Sequence, residues 1–65
     1  METEYRMSEQ LVFYRARAAE ARAEAEAATL VNVKERALRS EATWNEMARR
    51  VQDTERRRAA RLADV

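Results

Sequence analysis

Between Met7 and Val33 the chain reads MSEQLVFYRARAAEARAEAEAATLVNV, and the spacing of its apolar residues decides the fold. Met7, Leu11, Tyr14, Ala18, Ala21, Ala25 and Ala28 follow one another at intervals of 4-3-4-3-4-3. That alternation keeps one face of an α-helix apolar, as in a coiled-coil seam, whereas a strand needs a period of two. Ser8 before Glu9 offers a cap oxygen followed by an acid in the first turn, and Thr3 before Glu4 offers an earlier start of the same kind. A first helix over about residues 8–28 is expected.

The seam lapses at Thr29-Leu30-Val31-Asn32. Asn32 with Glu35 has the shape of a capping box, and Thr29 and the β-branched valines lower helix propensity, so a turn is expected at about residues 29–32. The alternative is one uninterrupted helix. From Val33 the stripe resumes as Val33, Ala37, Ser40, Trp44, Met47 and Val51, spaced 4-3-4-3-4, which places a second helix over about residues 33–62. Past Val51 the stripe turns polar at Thr54 and Arg58 and only Leu62 continues it, so the last dozen residues are expected to project or fray.

An antiparallel return pairs residues whose numbers sum to about 62. Ala18 then faces Trp44, Tyr14 faces Met47 and Leu11 faces Val51, small against large. The same register brings Arg15 toward Glu46, Arg22 toward Glu41, and Glu24 or Glu26 toward Arg36 and Arg39. Glu35–Arg39, Glu46–Arg50 and Asp53–Arg57 are acid-before-base pairs four residues apart along the second helix. The expected fold is all-α: a single domain over residues 1–65, an antiparallel two-helix hairpin whose core is Leu11, Tyr14, Ala18, Val33, Trp44, Met47 and Val51. Phe13 falls between faces, either covering the end of the bundle or joining an exposed patch, with Tyr5 and Tyr14 nearby.

The first helix carries a second row, Val12, Ala16, Ala19, Ala23 and Ala27, about 170° around from the first at 100° per residue. Arg15, Arg22 and Glu26 separate the rows on one side, and Arg17, Glu20 and Glu24 on the other. A helix apolar on opposite faces is usually flanked by two neighbours, and the second would come from another copy of the chain. Alanine is also the strongest helix former, so propensity alone is a second account of the row. Chain length favours the first account. Below about 70–80 residues one core rarely supplies more than about 3–5 kcal/mol, and no disulfide can add to it. A homodimer closing into a four-helix bundle follows, with the Val12 to Ala27 row as its seam.

Composition narrows the chemistry. Among 65 residues there is no Gly, Pro, Cys or His, against 14 Ala and 12 Arg. Phosphate-binding Gly loops are excluded, and general-base or nucleophilic catalysis lacks its usual parts, with one lysine, Lys34, and serines only at Ser8 and Ser40. Di-iron bundles need Glu-x-x-His pairs, which cannot exist here, and Glu20 with Glu24 four residues on reads as a solvated or Arg-bridged pair rather than a metal pair. No enzyme, no cofactor and no metal site is expected. No apolar run approaches 18 residues, so no membrane span is expected, and Glu2, Glu4 and Glu9 around a single Arg6 are the opposite of a basic secretory leader. The setting expected is cytoplasmic.

Net charge is only +1, which gives no global pull toward nucleic acid. Arg56-Arg57-Arg58 with Arg61 is the one basic concentration, a candidate grip for phosphates or an acidic partner. Cations near a helix C-terminus also complement its dipole, Asp53, Glu55 and Asp64 offset them, and no aromatic interleaves the run for base stacking.

The run Tyr14-Arg15-x-Arg17-Ala18-Ala19-Glu20, then Ala25-Glu26-Ala27-Ala28-Thr29, then Asn32-Val33-Lys34-Glu35-Arg36-x-Leu38-Arg39-Ser40-Glu41-x-x-Trp44-x-x-Met47-Ala48 resembles a group of short, uncharacterised proteobacterial proteins. The resemblance covers about residues 14–50 and implies a helical hairpin with Trp late in the second helix. Members of the group often carry Asp-Pro or Asp-Asn at the turn, whereas this chain has Val31 where an acid is common and no turn proline. The resemblance implies no activity. The function expected is that of an interaction or small regulatory protein partnered by itself and by an unidentified protein, with weak anionic binding at the Arg run as the alternative.

Overall fold

The structure, a computed structural model, describes residues 9–63. The seam's first member Met7, the caps at Ser8 and Thr3, Tyr5 and Asp64 lie outside the described residues. Two helices pack against each other: α1 is Glu9–Ala27 and α2 is Val31–Ala63, joined through residues 28–30. Both are built from Ala, Arg and Glu, which lose little on entering a helix, and among the described residues no backbone needs a positive φ.

The turn is tighter than its residues imply. The Lys34 amide donates to the Leu30 carbonyl at 3.0 Å, the first backbone bond of α2, so Leu30 occupies the cap position. Val31 and Asn32, expected in the turn, are helical, and no Asn32–Glu35 capping bond forms among the described residues. β-branching costs a helix only tenths of a kcal/mol per residue, whereas an earlier start satisfies more backbone. At the other side the Ala28 amide donates to the Ala25 carbonyl at 3.3 Å, tightening the last turn of α1.

Between the helices the buried residues are Leu11, Ala18, Ala21 and Ala25 of α1 with Ala37 and Ala48 of α2. Tyr14, Val33, Ser40, Trp44, Met47 and Val51 line the same contact half-buried. Alanine therefore occupies the middle of the seam, Ala25 and Ala48 being 1% and 0% exposed, and the bulky side chains stand along its borders. No large side chain among the described residues is fully buried.

The hairpin is long and thin. Its principal extents are 53 × 20 × 11 Å, two helices wide and one helix deep. Its radius of gyration is 15.5 Å, against about 10–11 Å for a compact domain of this length. Domains generally need two packed layers to enclose a core, and this one has a single layer.

Polar links across the pair are sparse. Arg22 reaches Glu41 at 3.5 Å, as the register implies. Arg15 does not reach Glu46. It donates to Gln52 Oε1 at 3.1 Å, while Glu46 takes Arg49 at 2.7 Å and Arg50 at 3.3 Å. Glu26 accepts from Arg22 at 3.1 Å, and no ion pair joins Glu24 or Glu26 to Arg36 or Arg39 among the described residues. Asp53 pairs with Arg56 at 2.9 Å rather than with Arg57, and Glu35 and Arg39 form no pair. For Glu26, Glu46 and Asp53, partners three or four residues away on the same helix are within reach without ordering a second helix, whereas Arg15 reaches across to Gln52.

Candidate functional site

The second row of α1 is bare. Val12 is 58% exposed, and Ala16, Ala19, Ala23 and Ala27 are exposed as well. The row lies opposite the face that α1 gives to α2, so nothing in the hairpin covers it. At the closed end Leu30 and Val31 are 65% and 68% exposed, large apolar side chains continuing past the end of the row. Arg22 beside the row is held by the bond it donates to Glu26 and then by the charges of Glu41 and Glu26, which raise its pKa above the usual guanidinium value. It is a permanent charge.

An aromatic cluster sits at one border of the seam. Trp44 lies 5.8 Å from Tyr14 and 5.9 Å from Phe13 by ring centroids, and Phe13 lies 5.8 Å from Tyr14. Arg17 places its guanidinium 5.2 Å from the Phe13 ring while bridging Glu20 at 2.9 Å. Trp44 thus reaches residues four and five positions before Ala18, its expected partner. The signal available in sequence was the adjacent pair Phe13-Tyr14 opposite the only Trp. Size matching pointed to alanine, whereas the edge-to-face attraction of aromatic rings operates over centroid distances of about 4.5–7 Å.

The basic end stands apart from both features. Arg56, Arg57, Arg58 and Arg61 are exposed on the last turns of α2. Arg56 is engaged by Asp53, and Arg57, Arg58 and Arg61 carry no ion pair among the described residues. Elsewhere a shallow depression is lined by Arg15, Asn45, Arg49 and Gln52. Among the described residues no group of three acidic side chains could hold a metal ion, and no helix is long and apolar enough to cross a membrane. Of the site residues read from sequence, Leu11, Tyr14, Ala18, Val33, Trp44, Met47 and Val51 therefore come together along the seam. The Val12 row and the Arg run lie on separate, uncovered surfaces. No family model, no curated protein and no solved structure matches the chain.

Proposed function

We propose that the chain is a non-enzymatic interaction protein, an adaptor or small regulator that acts as a homodimer of hairpins and brings four helices together. One observation carries this reading: the first helix of the hairpin leaves Val12, Ala16, Ala19, Ala23 and Ala27 uncovered opposite its packed face. A second copy over that row gives α1 the second neighbour its pattern calls for. A cytoplasmic setting accords with this reading, since the fold uses no disulfide. Sedimentation velocity from about 1 to 100 µM tests it, because dimer population follows concentration. A concentration-dependent shift to twice the chain mass is expected, and a folded, strict monomer throughout overturns it.

Arg57, Arg58 and Arg61, which carry no ion pair among the described residues, favour a second reading, a weak binder of nucleic acid or another anionic surface. Here binding to duplex DNA or single-stranded RNA at about 50 mM salt falls steeply as salt rises. It also disappears when Arg56, Arg57, Arg58 and Arg61 are all changed to Ser. Absence of binding at the lowest salt ends this reading.

A further inference from the structure

The flanks of the bare row carry more information than the row itself. At 100° per residue the row is centred about 160° from the packed face of α1. One flank holds Arg15, Arg22 and Glu26, and the other holds Arg17, Glu20 and Glu24. We infer, building on the dimer reading above, that the occupant of this face is α1 of a second copy running antiparallel, with residue numbers across the seam summing to about 41–42.

Three features select the same register. Ala19 then lies beside Ala23 of the second copy, so the alanine row meshes with itself. Val12, 58% exposed, falls beside the closed end of the second copy, where Leu30 and Val31 are 65% and 68% exposed, so the exposed apolar ends come together. Arg15 comes level with Glu26 and Arg17 with Glu24 of the second copy, each twice by symmetry. Arg15 binds only the neutral Gln52 in the hairpin and Glu24 has no ion pair among the described residues, while their counterparts across the seam, Glu26 and Arg17, each hold one pair within α1, to Arg22 and Glu20. Glu20 meets its own equivalent near the symmetry axis. Arg22 also approaches its equivalent, but Glu26 and Glu41 already neutralise it. A parallel pairing sets each flank against the other. It gains Arg22 against Glu20 and Glu24, but puts Arg15 against Arg17 and Glu26 against Glu24, so its gains and losses cancel.

The antiparallel seam also settles the layout of the dimer. Because α1 uses opposite faces for α2 and for its twin, the four helices line up as α2–α1–α1–α2 in a row, an open sheet of helices in place of a closed bundle. The two Arg-rich ends of α2 then point in opposite directions.

Cysteine cross-linking reads the register directly, since the chain has no cysteine of its own. Ala19→Cys and Ala23→Cys variants are prepared separately, one carrying a size tag, and oxidised alone and mixed. The antiparallel seam predicts that the mixed disulfide exceeds either self-disulfide by about fivefold or more, because only the 19–23 pair meets the disulfide span. Self-disulfides of Ala19→Cys as abundant as the mixed product overturn the antiparallel register and leave the dimer standing. A dimer by sedimentation with none of these disulfides overturns the α1 seam. A monomer by sedimentation overturns both the seam and the dimer.

Discussion

Trp44 of α2 meets Phe13 of α1 edge to face, with ring centroids 5.9 Å apart and 89° between the planes. This contact, with Tyr14 tilted against the same indole, is the aromatic junction of the two helices, along a seam whose other buried residues are Leu11 and alanines. An alanine methyl removes little area from water, so at about 25 cal/mol per Å² the aromatic border contributes out of proportion to its number of residues.

Trp44→Ala should therefore destabilise the hairpin by about 2–4 kcal/mol, below the usual range for a fully enclosed aromatic because Trp44 is half-buried. Urea melts followed by circular dichroism check this, with Trp44→Phe expected to recover most of the loss. A midpoint unchanged in Trp44→Ala would show that the cluster does not hold the helices together.

Alanines on the two faces of the hairpin should respond differently to enlargement. Ala48 is fully enclosed at the seam, so Ala48→Leu overpacks it and should cost about 1–3 kcal/mol. Ala23 is exposed, and Ala23→Leu should leave the melting of the dilute chain nearly unchanged while altering self-association in sedimentation. Equal destabilisation by the two substitutions in dilute solution would contradict the assignment of faces.

Leu30 holds a cap position with a side chain that cannot accept a hydrogen bond, and the first turn of α2 contains no acid. Leu30→Asp supplies both an acceptor for the free amides and a charge that suits the helix dipole. A gain of about 0.5–2 kcal/mol is expected in dilute solution, where the proposed dimer dissociates. The same substitution should weaken the dimer if Leu30 covers Val12 across the seam, so melting and sedimentation should move in opposite senses.

The Arg22–Glu41 contact is the only ion pair between the helices among the described residues, its Arg22 side open to solvent and its Glu41 side half-buried. Arg22→Gln should lower the melting temperature slightly at low salt, and the difference from the parent should vanish near about 0.5 M NaCl, where exposed charges are screened. A difference that persists in high salt would point to packing by the Arg22 stem.

The two helices and the character of their seam could be read from spacing alone, because a heptad pattern survives any detail of rotamer or partner. The turn could not be placed to the residue. Asn32 and Glu35 have the chemistry of a capping box, yet a chain free to start its helix at Val31 gains backbone bonds that outweigh the weak propensity of Val31 and Asn32. Cross-helix partners were equally hard to assign. Glu46 settles on Arg49 and Arg50 of its own helix, which cost less to order, and Arg15, left without it, crosses the seam to Gln52 instead. The bareness of the Val12 row and of the Arg run was legible as pattern, while the Phe13–Tyr14–Trp44 cluster was not, since it depends on how far an indole reaches along the opposing helix.

Among the described residues α2 exceeds α1 by 14, about 20 Å of helix at 1.5 Å per residue, and from Thr54 to Ala63 every position is exposed. One continuous helix therefore contains two thermodynamic regimes. Amides of α2 from Lys34, the first to be bonded, to Gln52 should exchange with solvent mainly when the hairpin opens, and so share its global free energy. Those of the last ten described residues are protected only by local helix propensity and by pairs such as Asp53–Arg56, so they exchange by fraying from the end, independently of whether α1 is docked. The basic end can unwind and reform on its own without disturbing the rest of the molecule.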